Sequence, residues 1–219
     1  MPRHILVFGG TSPTGIDFCL AALRDGHTLT LYVRNASKLP TEISSNVNIV
    51  VGNLTDASKV EEAASCGAKT VVSFIGPVMG DAKKGHTPIS DGYRVIIPLL
   101  KKYKYERTLN LSTASYKVPQ DRFSFTYALM VWFIYLFVRP AYVEINTTTR
   151  LITELRTEDI KWTVFRVPGL GNKDAKPVKA AFVGEGVGIF LERKGIAEWV
   201  LKEMEEEKWV GKCPALSNA

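Results

Sequence analysis

The sequence predicts an α/β chain with a doubly wound parallel sheet, and three observations carry that prediction. The apolar run His4-Ile5-Leu6-Val7-Phe8 leads straight into Gly9-Gly10-Thr11-Ser12-Pro13-Thr14-Gly15, and Ile16 to Arg24 then has helical spacing. Short apolar runs alternate with helical stretches along the chain, as parallel strands joined by crossover helices require. The second such run, Thr28 to Val33, ends in Val33-Arg34-Asn35-Ala36-Ser37-Lys38, which is cationic and holds no acid.

The glycine-rich turn has a chemical reason. A pyrophosphate needs backbone N–H groups aimed at it, and a helix N-terminus supplies them with the positive end of its dipole. Gly9 permits the tight turn and Gly15 lets the helix lie close to the strand, although Ser12 stands where a strict pattern wants its middle glycine. The loop GGTSPTG resembles the GATGxTG loop of atypical short-chain dehydrogenase/reductases, a group that includes NmrA-like proteins and flavin/biliverdin-IX-beta reductases. The likeness runs from Arg3 to about Ala197 and is strongest in the first 80 residues. It implies one Rossmann-type domain over 1–219, with a small C-terminal substrate region and with 120–145 and 168–190 as substrate or interface elements. It also implies that Gly9, Thr11, Ser12, Pro13, Thr14 and Gly15 bind the cofactor.

Composition bounds the function. The chain has 219 residues and a net charge of +6, without the basic runs of nucleic-acid binders, so no nucleic-acid partner is expected. Cys19, Cys66 and Cys213 form no CxxC pair, and His4, His27 and His86 are scattered, so reduced thiols and no metal are expected. The first strand begins by His4, leaving no room for a signal peptide, and a cytoplasmic protein is the expectation.

In order, the first helix covers roughly Thr14 to Asp25, with Gly26 in the position that ends it. After the second strand, an NAD site would place an acid for the ribose hydroxyl, whereas Arg34 and Lys38 suit the 2′-phosphate of NADP(H). The run VRNASKL also resembles the corresponding segment of NADP-binding family members. A third strand, Val47 to Val51, precedes Gly52-Asn53-Leu54-Thr55-Asp56, which resembles the family's G-D-[LV]-T-D. That resemblance implies adenine contacts from Asn53, here replacing an acid, and Leu54. Asp56 or Thr55 is the expected N-cap of a helix to Cys66.

The fourth strand, Thr70 to Ile75, ends in Gly76-Pro77-Val78-Met79-Gly80, where glycine lets backbone approach a ligand. Ile75 and Gly76 are expected on the cofactor. A helix from Ser90 to Lys102 should kink at Pro98. The fifth strand, Arg107 to Leu111, delivers Ser112-Thr113-Ala114-Ser115-Tyr116. By the family's pattern, Ser112 and Thr113 polarise the acceptor oxygen beside the nicotinamide, and Tyr116 is the candidate proton donor, with Tyr127 and Tyr142 behind it. No Y-x-x-x-K occurs, so the usual Tyr/Lys general acid is missing.

The run from Phe123 to Val138 carries no charge and stops at Arg139-Pro140. It is too short to span a membrane and reads as a helix that lines an apolar pocket or packs on a partner. A homodimer interface through 123–138 has the same appearance, and an interfacial anchor is a further alternative. A helix over Ala141 to Leu155 should face Val143, Ile145, Leu151, Ile152 and Leu155 inward. The sixth strand, Lys161 to Val167, ends at Pro168, which the family's W-T-[IV]-[VF]-R-P phrase places by the cofactor, with Val167 intruding here. A strand over Val178 to Val183, a last helix after Glu192 and a terminal strand over Trp209 to Lys212 complete the reading, in strand order 3-2-1-4-5-6.

The function expected is NADPH-dependent reduction of a small apolar aromatic or polyketide-like carbonyl, quinone or flavin. Resemblance to fungal members of this size suggests secondary metabolism. The alternatives are a non-catalytic NADP(H)-sensing regulator, as in NmrA-like proteins, and a non-redox isomerase, dehydratase or cyclase.

Overall fold

The structure, a computed structural model, describes residues 1–77 and 87–219. Strands β1 (His4–Phe8), β2 (Thr28–Val33), β3 (Asn48–Val51), β4 (Thr70–Ser73), β5 (Arg107–Thr113) and β6 (Lys161–Val167) form the parallel part of one sheet. Their order is β3-β2-β1-β4-β5-β6, as the sequence predicts, and β10 (Ala215–Asn218) and β8 (Val178–Ala181) extend it. β10 runs parallel to β6 and antiparallel to β8. A separate parallel pair joins β7 (Gly169–Gly171) to β9 (Phe190–Glu192).

β1 shows why its sequence is unbroken by polar residues. Ile5 and Val7 enter the core beneath α1 (Pro13–Arg24) and α7 (Arg193–Glu206), while Leu6 and Phe8 enter the opposite core beneath α3 (Ala57–Ala64), α4 (Pro88–Lys102) and α6 (Arg139–Thr153). All four are at most 1% exposed. A strand covered on both faces needs apolar residues at every position, each contributing about 1.5–3 kcal/mol when fully buried. The remaining helices are α2 (Thr41–Ser44) and α5 (Phe125–Phe137).

Local signals behave as their chemistry requires. The Asp56 carboxylate accepts the Lys59 N–H at 3.2 Å and caps α3, which ends at Ala64, short of Cys66. Gly26 follows the Asp25 cap of α1 with φ +81°, the left-handed geometry that favours glycine. α4 begins two residues before the expected Ser90 and continues through Pro98 to Lys102. The three cysteines are unpaired thiols, and burial pushes Cys19 up to about 12.

Several expectations are corrected. The terminal strand is Ala215–Asn218; the 209–212 segment forms no strand but an isolated Thr163–Lys212 bridge to β6, and Gly211, at φ +69°, turns the chain there. The helix after the apolar run starts at Arg139, and its Val143 is exposed. The apolar run does form α5, yet no α5 residue lines the large cleft described below among the described residues. Tyr127 is the one buried residue of that helix. Val78, Met79, Gly80 and His86 lie outside the described residues.

Two buried ion pairs had no signature in the sequence. Arg107, the first residue of β5, donates to Glu203 of α7 at 2.9 Å, with both side chains at most 3% exposed. Burial lowers the Arg107 guanidinium and raises the Glu203 carboxyl, so desolvation outweighs their attraction. Arg166, near the end of β6, holds Asp121 through both terminal nitrogens.

Candidate functional site

The strand order reverses between β1 and β4, and a cleft of about 510 Å³ opens at the carboxyl ends of the strands there. One wall is the β1–α1 turn, with Gly9, Thr11, Ser12 and Pro13. Gly9 has φ +76°, and a Cβ on it would stand 2.8 Å from the Phe74 carbonyl carbon. A Cβ on Gly15 would stand 2.3 Å from the Gly9 oxygen. Both glycines are therefore required for the turn to fold against β4 and its own helix.

Ser12 takes the place of the middle glycine without filling the cleft. Its Oγ donates to the Gly9 carbonyl at 2.8 Å and accepts the Gly15 N–H at 3.1 Å. Ser12 is thus the N-cap of α1, with Pro13 following in the first turn, where a missing N–H costs nothing. Thr14 and Gly15 are buried behind this wall.

At one end the cleft meets Tyr32, Val33, Arg34 and Lys38, at the end of β2. Arg34 and Lys38 are exposed and form no ion pair among the described residues. Asn53, Leu54 and Thr55 form the adjoining side. The Tyr32 hydroxyl donates to the Asn53 carbonyl at 2.7 Å, which fixes the loop after β3. Burial pushes that phenol up to about 12, so it remains a donor at neutral pH.

At the other end Phe74, Ile75, Gly76 and Pro77 face Pro88, Ile89 and Glu144. A small recess continues from here, lined by Leu111, Ser112, Ile145, Thr148 and Thr149. Ser112 and Thr149 share a hydroxyl–hydroxyl bond of 2.7 Å. The Thr148 Oγ1 is buried with no partner among the described residues. This leaves one hydroxyl at the recess available to a further polar atom.

Glu144 lines both cleft and recess and is 4% exposed. Its Oε1 accepts the Ser90 N–H at 2.6 Å, in the first turn of α4. Burial pushes its carboxyl above the usual carboxylate range, against the Ser90 and Ile89 amide bonds that pull it down. Sequence reasoning missed Glu144, Thr148 and Thr149. They sit in a helix with no motif, and only the packing of α6 over β5 brings them to the cleft.

The predicted residues divide. Gly9, Thr11, Ser12, Pro13, Arg34, Lys38, Asn53, Leu54, Ile75 and Gly76 line the cleft, and Ser112 lines its recess. Thr113, Tyr116 and Pro168 line neither. The Thr113 Oγ1 accepts the Ser115 N–H at 3.3 Å, and the Tyr116 hydroxyl bonds Thr153 at 2.9 Å. The Tyr127 hydroxyl donates to the Gly188 carbonyl at 2.7 Å, and Tyr142 packs edge-on to Tyr135. No group of three or more His, Cys, Asp or Glu side chains able to hold a metal occurs among the described residues.

The residues present fit a dinucleotide: a glycine cradle that a Cβ would fill, a helix N-terminus and two exposed cations all face one cleft. The chain is similar to ChuY, an anaerobillin reductase from Escherichia coli O157:H7, with 16% identity, 98% of this chain and 97% of that chain covered, and a TM-score of 0.78. It is similar to a wide-type short-chain dehydrogenase/reductase from Veillonella parvula in complex with NADP, with 16% identity, 100% and 95% covered, and a TM-score of 0.77. An oxidoreductase from Lactococcus lactis has 14% identity, 99% and 91% covered, and a TM-score of 0.76. At such identities the likeness is one of fold. The family model described as NAD(P)H-binding matches residues 9–207, and the chain belongs to that NAD(P)H-binding family, with a Rossmann-type fold.

Proposed function

We propose that this protein is an NADPH-dependent reductase of a small, largely apolar carbonyl, quinone or flavin-like acceptor. One observation carries the reading. A single cleft joins two exposed cations and a glycine-rich helix N-terminus, at one end, to a buried recess of hydroxyls and one carboxyl at the other. The relatives in fold agree: one is a reductase and another holds NADP. A cytoplasmic setting fits three unpaired thiols, and a place in secondary metabolism rests on the sequence resemblance alone.

In this reading Arg34 and Lys38 hold the 2′-phosphate, and the first turn of α1 holds the pyrophosphate. Asn53 and Leu54 would bind the adenine, and Ile75 and Gly76 would hold the rest of the cofactor. NADPH, when bound, supplies a hydride. Ser112 orients the acceptor oxygen through its hydroxyl, which Thr149 holds in place, and Thr148 offers a second hydroxyl. The Glu144 carboxyl, kept protonated more readily by burial, gives a proton to that oxygen, the role the missing Tyr/Lys pair has elsewhere. Ile75, Pro77, Ile89 and Ile145 give the recess its apolar lining and exclude water.

The test is titration with NADPH, NADP⁺ and NADH, followed by NADPH consumption with a panel of quinones, aromatic ketones and flavins. Tight NADPH binding with turnover is expected. Binding without turnover would turn the reading to a redox-sensing regulator, and product without NADPH consumption would turn it to a non-redox enzyme.

A further inference from the structure

We infer that α5 is a docking surface for an anionic lipid bilayer. Phe125, Leu129, Trp132, Phe133, Leu136 and Phe137 are each between 49% and 72% exposed. At about 100° per residue the exposed positions of this helix sweep roughly 200° of its circumference. Its remaining side, with Tyr127 buried and Met130, Val131 and Ile134 half-buried, rests on the protein. A packing partner covers an apolar stripe of about 100°, whereas hydrocarbon surrounds whatever projects into it. Isolated exposed apolar residues need no explanation, but six large ones gathered on the outer face of one helix do.

Charge chooses between a bilayer and a second copy of this chain. Between Asp121 and Glu144 the only charged side chains are Arg122 and Arg139, at the two ends of α5. Asp121 is held by Arg166 and Glu144 is buried, so neither offsets them. Arg122 is 75% exposed and makes only a long, exposed ion pair with Glu185 at 3.7 Å, and the Arg139 guanidinium lies 4.1 Å from the centre of the Tyr135 ring. Two copies of α5 laid together would set arginine beside arginine in either direction. An anionic headgroup layer instead receives both arginines, with Trp132 and Tyr135 among the aromatic side chains suited to the interface.

Length decides how the helix lies. Thirteen residues extend for about 20 Å, against a hydrocarbon core of about 30 Å. α6 then departs at 113°, and no single described helix is long and apolar enough to cross a membrane. α5 therefore lies in one leaflet.

Flotation with vesicles of phosphatidylcholine plus phosphatidylserine, and of phosphatidylcholine alone, tests this directly. The protein should float with the first and much less with the second, with a blue-shifted tryptophan emission that Trp132→Phe removes. The exposed double variant Leu129→Glu/Phe133→Glu should keep its circular dichroism and lose at least about tenfold in vesicle partitioning. Failure to float with either vesicle overturns the proposal, as does equal partitioning onto both. A soluble dimer dispersed by the double variant would assign the surface to a second copy instead. None of these outcomes depends on reductase activity.

Discussion

Arg166 grips Asp121 with two parallel bonds, Nη1 to Oδ2 at 2.6 Å and Nη2 to Oδ1 at 2.7 Å, and its side chain is fully buried. The same carboxylate accepts the N–H groups of Val118 at 3.0 Å and Val183 at 3.1 Å. One side chain thus joins the loop after β5, the segment after β8 and the end of β6, directly before the chain enters α5. Removing it leaves a buried guanidinium uncompensated, and Asp121→Ala should lose about 3 kcal/mol, measured by urea unfolding.

The pH dependence of that pair has a definite sign. Burial raises the Asp121 carboxyl, but the Arg166 bonds and the two amides outweigh it and hold it below the usual range. Its contribution is then full above the unfolded aspartate value of about 3.9 and is lost as pH falls through the lower folded value. Asp121→Asn should therefore show a shallower acid limb in thermal melts than the native protein.

Arg107 and Glu203 behave differently, because burial dominates both shifts. Each single truncation should cost about 3–5 kcal/mol, whereas Arg107→Met/Glu203→Leu should lose less than either. A double-mutant cycle in urea checks this, and an additive result would contradict it.

Arg34→Glu should weaken NADPH binding by about 10²-fold by removing charge-assisted bonds to the 2′-phosphate, and change NADH binding by only a few-fold. Isothermal titration reads both. Equal losses for the two cofactors would mean that Arg34 does not face the phosphate.

Glu144→Gln should lower turnover by about 10²–10⁴ while leaving NADPH affinity nearly unchanged. The native rate should fall as pH rises through the raised carboxyl value, and the variant should lack that limb. Stability follows with the same sign. A carboxyl raised on folding favours the folded state most below its unfolded value of about 4.3, and that advantage declines as pH rises through the folded value. Thermal melts of Glu144→Gln should therefore vary less across this range.

Gly15→Ala tests the turn itself. Its Cβ would meet two backbone groups, the Gly9 oxygen at 2.3 Å and the Gly10 Cα at 2.9 Å, so the loop must move. A loss of about 1–3 kcal/mol and weakened NADPH titration are expected.

By itself the sequence determined the elements whose cause is local. The β1 run, the glycine turn, the Asp56 cap and the parallel order through β6 follow from periodicity, turn chemistry and crossover rules that act within tens of residues. Arg34 and Lys38 belong here too, since a cation at the end of β2 needs only its position in the βαβ unit. Tertiary structure decided what depends on distant segments meeting. Glu144, Thr148 and Thr149 reach the cleft only because α6 packs across β5, and Ser112 joins them while Thr113 and Tyr116 turn elsewhere. The partners of Arg107 and Arg166 come from remote segments that no spacing rule connects. α5 was readable as an apolar helix, but hydrophobicity carries no direction. Only the packing of the whole chain determined that this helix stands outside the cleft, with its apolar face toward solvent.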